Sequence, residues 1–249
     1  MQSIGIIVIT FNESLKIKAC LESVKWADEI IVLDSGSIDN TVEICKKYTD
    51  KVYVTDWPGF GPQKNRALAY ASCDWVLSID ADECVTSELK KEIQNIVSHG
   101  EFNVYDIPRL SSFCGKYLNH GGWRPDYVAR LFKRESASFS NDLVHERLIF
   151  KSRKGKLRES LMHASIDDLD SMLSKINAYS TAGTQRILDK GKQVGLLSAL
   201  SHGFWIFFRT YFLRLGFLDG KEGFIMAISA GENTYYRYLK AYYLQNPKL

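Results

Sequence analysis

Apolar runs alternate with amphipathic stretches over the N-terminal part of the chain. Four runs rich in β-branched residues predict strands that are buried on both faces, at residues 4–9, 30–33, 52–54 and 75–79. Between them lie three stretches with helical spacing, at residues 15–24, 41–48 and 63–71. Strands that alternate with helices need crossover connections, so the pattern predicts an α/β fold with a mainly parallel sheet flanked by helices.

The second half of the chain has a less regular pattern. In order, it contains a strand-like run, a polar aromatic loop, another strand-like run, a helical stretch and a strongly apolar segment, at residues 104–107, 119–124, 128–132, 168–189 and 196–218. We therefore expect one domain over residues 1–165 and a C-terminal helical extension over residues 166–249.

Composition and charge narrow the class of protein. Of the 249 residues, 45% are hydrophobic and 24% are charged, which is the balance of an ordinary globular protein. The net charge is +3 and no run of lysine and arginine is long, so we expect no nucleic-acid partner. Five cysteines without a C-x-x-C pair indicate a reducing compartment. The N-terminus lacks the pattern of a signal peptide, so we expect a cytoplasmic protein.

A polar segment follows each of the four predicted strands. Ligands of open α/β sheets bind beyond the carboxyl ends of the strands, so these segments form the candidate site. Neither a glycine-rich dinucleotide motif nor a P-loop string occurs there. The four segments are Thr10-Phe11-Asn12-Glu13, Asp34-Ser35-Gly36-Ser37, Asp56-Trp57-Pro58-Gly59-Phe60-Gly61 and Asp80-Ala81-Asp82-Glu83.

Asp80 and Asp82 have the spacing of a cation site. Because they lie two positions apart at the end of a strand, their side chains point the same way and can converge on one divalent cation. The alternative is that one carboxylate caps the helix that begins near Thr86 and that the other is solvated.

The helix after Gly59-Phe60-Gly61 is a second candidate element. The helix holds Gln63, Lys64, Asn65 and Arg66, and its N-terminus and basic side chains could contact a phosphate group. The alternative is that the two glycines form only a turn before the helix.

Four stretches of the chain occur in an order that is specific when taken together. They are Thr10-Phe11-Asn12-Glu13, residues 34–41, residues 57–68 and Asp80-Ala81-Asp82-Glu83. In these stretches the chain resembles the family-2 inverting glycosyltransferases, which have a GT-A fold, and within them the glucosyltransferases that extend the lipopolysaccharide inner core. The resemblance covers most of the chain. Because the pattern becomes irregular from Asn103 onward, we expect a nucleotide-sugar half over about residues 1–100 and an acceptor half over about residues 101–165.

The resemblance implies a nucleotide-sugar donor, usually a UDP-sugar, and a divalent metal, Mg²⁺ or Mn²⁺. It implies that Asp34 accepts a hydrogen bond from the base, that Asp80 lies by the ribose or the metal, and that Asp82 ligates the metal. Asp34 could instead bond to the backbone of its own turn, and Lys64 could lie on a solvated helix face. The other residues that the resemblance assigns to the nucleotide are Thr10, Asn12, Glu13, Gln63 and Lys64.

Asp142 and His145-Glu146 resemble the acceptor-side motif of these enzymes. An inverting transfer needs one carboxylate to take the proton of the acceptor hydroxyl. Glu146 is the candidate base and Asp142 is the second candidate. The alternative for Glu146 is a surface ion pair with Arg147 or a nearby lysine. His163 is a candidate for an additional metal ligand, or else a structural histidine.

The apolar segment over residues 196–218 is long enough to span a bilayer, but it includes Arg209 and Arg214. Each arginine near the bilayer centre costs roughly 2.5–3.5 kcal/mol, so spanning is disfavoured. One alternative is a buried core helix. We expect instead an interfacial helix on the inner face of the cell membrane, so that the protein is peripheral. The side chains expected among the lipid headgroups are Phe204, Trp205, Phe208, Tyr211 and Phe212.

The combined expectation is an inverting, metal-dependent hexosyltransferase that moves glucose from UDP-glucose onto a lipid-linked saccharide such as lipopolysaccharide core. Within this class, the alternatives are another nucleotide sugar, or another cell-surface glycan or a protein as acceptor. Two other classes are a nucleotidylyltransferase that makes the sugar nucleotide and a non-catalytic scaffold docked on a membrane. Nucleotidylyltransferases have a glycine-rich first loop with a basic residue, which Thr10-Phe11-Asn12-Glu13 lacks.

Overall fold

The computed structural model describes residues 2–142 and 146–246. Its strands are β1 (Ile4–Thr10), β2 (Glu29–Asp34), β3 (Val52–Val54), β4 (Trp75–Asp80), β5 (Glu83–Val85), β6 (Val104–Phe113), β7 (Lys116–Tyr117), β8 (Asp126–Lys133), β9 (Ala137–Phe139), β10 (Leu148–Phe150), β11 (Gly155–Lys156) and β12 (Leu161–Ile166). Its α-helices are α1 (Ile17–Val24), α2 (Thr41–Cys45), α3 (Phe60–Ala69), α4 (Ser87–His99), α5 (Leu169–Asp189), α6 (Leu196–Phe208) and α7 (Gly220–Gln245). The four N-terminal strands and the three helices between them are confirmed as predicted, with small shifts of their ends.

The chain divides into two compact units. The first consists of Met1–Arg109 and Asp126–His163, and the second of Leu110–Pro125 and Ala164–Leu249. The longer segment of the second unit thus begins at Ala164, close to the boundary predicted after residue 165. It also includes the polar aromatic loop at residues 119–124, which the sequence pattern assigned to the first domain.

The first unit is built on a mixed sheet with the strand order β3-β2-β1-β4-β8-β6-β12-β5. The strands β3, β2, β1 and β4 pair in parallel with one another. β8 runs antiparallel to both β4 and β6, and β12 runs antiparallel to β5. The parallel half is the part predicted from the sequence, and its register brings Thr10, Asp34 and Asp80 to the same edge.

Apolar cores cover both faces of the parallel strands. Every residue of β1 and β2 is buried, as expected of parallel strands that are covered on both sides. One core packs the sheet against α1 and α4 through residues such as Leu21 and Leu89. The other packs it against α3 and β9 through Ala67 and Phe139. The prediction that all four strands are buried on both faces is wrong for β3, because β3 is an edge strand and its Val54 is exposed.

Helix α3 is fastened to the segment that follows β9. A β-carbon on Gly61 would lie 1.8 Å from the carbonyl oxygen of Ser140, so only glycine allows this close approach. One turn later, Asn65 pairs with the backbone of Phe139: Nδ2 donates to the carbonyl oxygen at 2.8 Å, and Oδ1 accepts from the N–H at 2.8 Å. Gly59 precedes the helix with φ of 109°. The two glycines therefore serve the turn and the helix packing.

Small residues set the helix crossings of the second unit. At the crossing of α6 and α7, a β-carbon on Gly203 would lie 3.2 Å from the carbonyl oxygen of Gly231. Along α5 and α7, Met172 and Met226 share a small apolar core.

The polar aromatic loop is held by a hydrogen bond to the residue that precedes α7. Oδ2 of Asp219 accepts this bond of 2.8 Å from the N–H of His120.

The apolar segment at residues 196–218 forms α6, one turn of π-helix and a 3-10 turn. Ala199 and Gly203 are buried on one side of α6. On its other side, Leu197 is 80% exposed, Phe204 68% and Trp205 51%. The alternative of a buried core helix is therefore wrong. Within the described part of the chain, no helix combines the length and the apolar character that a membrane crossing requires.

Candidate active site

Asp34 shapes the turn that follows β2. The residue is fully buried, and its Oδ1 accepts hydrogen bonds from the N–H groups of Gly36 at 2.9 Å and Ser37 at 2.8 Å. Its Oδ2 accepts a third bond from the Ser37 hydroxyl. These are the turn bonds that the sequence offered as the alternative role of this residue. The contact of Asp34 with a nucleotide base stays a prediction.

The loop after β1 is tied to the loop after β2. Asn12 has φ of 53°, and its N–H donates to Oγ of Ser37 at 2.8 Å. The Oδ1 of Asn12 accepts from the N–H of Ile38 at 2.9 Å. The N–H of Glu13 donates to Oγ1 of Thr41 at 2.8 Å. These bonds fix the backbone of two residues that the resemblance assigns to the nucleotide.

Thr10 and Gln63 are buried next to these loops. Thr10 ends β1 opposite Asp34, and its hydroxyl has no hydrogen-bond partner among the described residues. The Nε2 of Gln63 donates to the hydroxyls of Ser35 and Thr55, both at 3.0 Å. Gln63 thereby joins the start of α3 to the ends of β2 and β3.

Lys64 joins two of the candidate carboxylates. Only 3% of the residue is exposed. Its Nζ lies 2.6 Å from Oε1 of Glu146 and 3.1 Å from Oδ1 of Asp80. The alternative of a solvated lysine is therefore wrong. Glu146 does form an ion pair with a lysine, but the pair is largely buried.

Asp142, the second candidate base, has different partners. It is exposed, and its Oδ2 accepts a hydrogen bond of 2.8 Å from the Ser140 hydroxyl. The same oxygen lies 3.9 Å from Nη2 of Arg147. His145 lies outside the described residues. Of the two candidates, Glu146 is thus the one in contact with Lys64, and the choice of base stays a prediction.

Arg130 extends the row of charges beyond Asp80. Its Nη2 contacts Oδ2 of Asp80 and lies 2.8 Å from Oε1 of the fully buried Glu83. Arg109 lies 3.6 Å from the same Glu83 oxygen and 2.6 Å from Oδ2 of Asp126. We call this alternating row the charge ladder. It consists of Glu146, Lys64, Asp80, Arg130, Glu83, Arg109 and Asp126.

The charge ladder controls the protonation of its buried carboxyl groups. Burial alone would raise the pKa of Asp80, but the positive charges of Arg130 and Lys64 outweigh this effect and hold the pKa well below its usual range. Burial raises the pKa of Glu83, and the charge of Arg130 acts in the opposite direction. Arg130 and Lys64 together therefore favour the anionic form of Asp80.

Sequence reasoning gave no role to Glu83, Arg109 or Arg130. Both arginines stand in strands that are otherwise largely apolar, and a charge in such a strand needs a buried counter-ion. The sequence therefore indicates that these arginines need counter-ions. It does not identify the counter-ions, because Arg130 lies 50 positions from Asp80 and 47 from Glu83.

Comparison with known proteins identifies the family to which the chain belongs. The sequence profile described as Glycosyl transferase family 2 matches residues 5–163, which is more than half of the chain and includes the whole charge ladder. The chain belongs to glycosyl transferase family 2. The protein is therefore a glycosyltransferase, and the alternatives of a nucleotidylyltransferase and a non-catalytic scaffold are set aside.

Relatives within the family match over most of their length. An uncharacterised glycosyltransferase of Rickettsia conorii is 32% identical over 246 residues, covering 91% of this chain and 85% of the relative. The lipopolysaccharide core biosynthesis glycosyltransferase LpsC of Rhizobium meliloti is 27% identical over 247 residues, covering 94% and 90%. The crystal structure of S. aureus TarS 1–349 in complex with UDP-GlcNAc superposes with a TM-score of 0.50 at 15% identity, covering 98% of this chain and 92% of that one. The predicted GT-A-type fold is confirmed.

The predicted ligands of a divalent cation at this family-2 site are Asp82, Asp80 and His163. Oδ2 of Asp82 lies 3.4 Å from Nε2 of His163. Among the described residues, no three His, Cys, Asp or Glu side chains converge as a metal site. A cation such as Mg²⁺ or Mn²⁺ often takes only one or two protein ligands, because phosphate and water oxygens complete its shell. One carboxylate and one imidazole are donors that such a cation can take, and the role of these residues as metal ligands stays a prediction.

The helix-cap alternative for the two aspartates is wrong. Thr86 itself caps α4, because its Oγ1 accepts a hydrogen bond of 3.1 Å from the N–H of Leu89. Asp80 and Asp82 remain at the carboxyl edge of the sheet, where Asp80 contacts Lys64 and Arg130.

Replacing Arg130 by methionine should lower the free energy of unfolding by about 3–5 kcal/mol, because Glu83 and Asp80 lose the cation between them. Urea unfolding followed by circular dichroism measures the change. The matched control is Arg134→Met, whose partner Glu135 is exposed, and it should cost less than about 1 kcal/mol. Adding Glu83→Gln to Arg130→Met should restore part of the loss. An Arg130→Met protein as stable as the wild type would contradict the compensating role of the charge ladder.

Proposed function

We propose that this enzyme transfers a hexose, namely glucose from UDP-glucose, with inversion onto a lipid-linked saccharide such as lipopolysaccharide core. The observation that carries the proposal is the buried contact of Glu146 with Lys64 and, through it, with Asp80 at the carboxyl edge of the sheet. The relative named for lipopolysaccharide core biosynthesis supports the acceptor class. A UDP-sugar donor is supported by the UDP-GlcNAc in the TarS structure, through the shared fold alone.

Glu146 is the proposed base. Its carboxylate accepts the proton of the acceptor hydroxyl while that oxygen attacks the anomeric carbon, and the bond from this carbon to the diphosphate oxygen breaks. The contact of 2.6 Å with Lys64 fixes the position of the carboxylate. One displacement without a covalent enzyme intermediate inverts the anomeric centre, so a single base is sufficient.

The donor side of the site orients the nucleotide sugar. We assign the nucleotide to the loop carrying Asn12 and Glu13, the turn at Asp34 and the buried Gln63, which hydrogen bonds tie to one another. Asp82 and His163 are the residues that would hold a divalent cation. When bound, such a cation supplies positive charge that offsets the charge developing on the departing diphosphate.

The donor and the acceptor can be tested together. UDP-, GDP- and dTDP-sugars are assayed with Mg²⁺ or Mn²⁺, first for hydrolysis and then for transfer onto a deacylated lipopolysaccharide core oligosaccharide. Preference for UDP-glucose and transfer of glucose support the proposal. Preference for another nucleotide sugar would contradict the proposed donor. Transfer only onto a different glycan or a protein would contradict the proposed acceptor.

The substitution Asp82→Asn should abolish transfer and leave the fold intact, because the amide keeps the shape of the side chain but not its charge. Titration calorimetry with UDP and Mn²⁺ should show weakened binding, and the melting temperature should stay near that of the wild type. The matched control is Asp50→Asn, an exposed aspartate outside the site, which should keep full activity. Unchanged transfer by Asp82→Asn would rule out the metal assignment.

The substitution Glu146→Gln should slow transfer by about 10²–10⁴-fold, which is the usual contribution of a positioned general base. The affinity for the UDP-sugar should change little, because the base acts on the acceptor. Asp142→Asn is the comparison, since Asp142 is the second candidate in the same segment. Near-normal turnover by Glu146→Gln beside an inactive Asp142→Asn would transfer the role to Asp142, and normal turnover by both would place the base elsewhere.

A lipid-linked acceptor requires the enzyme to work at a membrane surface, and the second unit offers a surface for this. The exposed side of α6 carries Leu197, Phe204 and Trp205. Residues 190–218 include two lysines and two arginines but no aspartate or glutamate. An exposed apolar face beside positive charge fits anionic lipid headgroups, which supports peripheral binding at the inner face of the cell membrane.

The purified protein should sediment with anionic liposomes at low salt, and the double substitution Phe204→Ser and Trp205→Ser should reduce this binding. The matched control is Tyr236→Ser with Tyr243→Ser, two exposed aromatic residues of α7. A wild-type protein that stays in the supernatant, or a control pair that lowers binding as strongly as the α6 pair, would contradict membrane docking through α6.

A further inference from the structure

An exposed aromatic pair stands at the start of α3, in the first unit. The ring centroids of Trp57 and Phe60 are 4.8 Å apart, and their planes meet at 88°. Trp57 is 47% exposed and Phe60 is 40% exposed. Neither ring belongs to the apolar cores of the unit, so the packing of the fold does not explain the pair.

Helix geometry directs Phe60 towards the candidate active site. At about 100° per residue, positions 63 and 64 lie on either side of position 60 around the axis of α3. Gln63 contacts Ser35 on the donor side, and Lys64 contacts Glu146 on the proposed acceptor side. Side chains on a helix tilt towards its N-terminus, so Phe60 extends beyond the turn that carries these contacts. Phe60 therefore lies about one turn from Lys64 on this helix, and Trp57 packs against the Phe60 ring.

The loop that carries Trp57 is held on both sides. Before it, Nη1 of Arg66 lies 2.7 Å from Oδ1 of Asp56. After it, the N–H of Gln63 donates to the carbonyl oxygen of Gly59 at 3.1 Å. These two contacts restrain the loop, and restraint of this kind reduces the entropy cost of binding a ligand.

We propose that Trp57 and Phe60 form a stacking platform for a pyranose ring of the acceptor saccharide. A pyranose has an apolar face of C–H groups, which packs on an aromatic ring, while its hydroxyls stay free for polar partners. Binding sites for small ligands combine such aromatic walls with a few polar groups, here Lys64 and Glu146. Assigning the ring to the acceptor rests on the proposed function, in which the acceptor hydroxyl reaches Glu146.

The test uses Trp57→Ala and Phe60→Ala in transfer assays with UDP-glucose and the deacylated core oligosaccharide. Each variant should raise the KM for the oligosaccharide about three- to tenfold, the size expected from one lost aromatic contact. The KM for UDP-glucose and the rate of UDP-glucose hydrolysis should stay as in the wild type. Trp57→Phe, which keeps a ring, should recover most of the affinity.

Tyr70→Ala is the matched control. Tyr70 is 45% exposed and stacks on Tyr53 at 3.9 Å, at the other end of the same helix. It should leave the KM for the oligosaccharide unchanged. Saturation-transfer NMR measures binding of the oligosaccharide directly and without donor, and the signal of its ring C–H groups should fall in Trp57→Ala.

The outcomes separate the platform from the proposed function. Normal wild-type transfer with an unchanged oligosaccharide KM in both variants would overturn the platform. Weaker binding of Trp57→Ala to anionic liposomes, with that KM unchanged, would also overturn it and assign the pair to lipid. If the wild type transfers no glucose to the oligosaccharide, the proposed function fails, and the NMR signal alone then decides: its loss in Trp57→Ala supports the platform and its persistence overturns it.

Discussion

A buried charge is stable only beside an opposite charge, and this constraint organises the first unit. The charge ladder links the end of β4, the start of α3, the strands β6 and β8, and the segment that carries Glu146. It contains four carboxyl groups and three cations, which alternate along the row. Both ends of the ladder are carboxylates with partial exposure, whereas Glu83 in the middle is fully buried. The interior pairs therefore depend most strongly on one another.

Helix α3 contacts a different part of the first unit with each of its faces. Gln63 reaches the ends of β2 and β3, Lys64 reaches the charge ladder, and Gly61 with Asn65 packs on the segment after β9. The same helix thus positions the groups that we propose for the donor and for the acceptor relative to each other within one element. An element of this kind keeps geometry better than a loop does, and catalysis by positioning depends on that accuracy.

The periodicity of the sequence was sufficient for the parallel strands, because strands such as β1 are apolar throughout and are covered on both faces. The periodicity was less informative for β8 and β12, which pair antiparallel with strands that lie far from them in the sequence. The motif residues of the site were found because they follow strand ends, which share one edge of a parallel sheet. Their partners were not found, since a contact such as that between Lys64 and Glu146 joins residues 82 positions apart. The turn bonds of Asp34 were foreseeable because they are local.

Helix α6 shows why periodicity alone could not assign its faces. Both sides of the helix lack charge, so the apolar pattern does not say which side is covered. Residue size decides it: Ala199 and Gly203 let α7 approach, and the large side chains are left on the outside. Exposed apolar area costs about 25 cal/mol per Å² relative to burial, so an outer face of this kind is unfavourable in water and favourable against an apolar surface. The neighbouring arginines, which disfavour a spanning helix, are compatible with a helix that lies at the level of the headgroups.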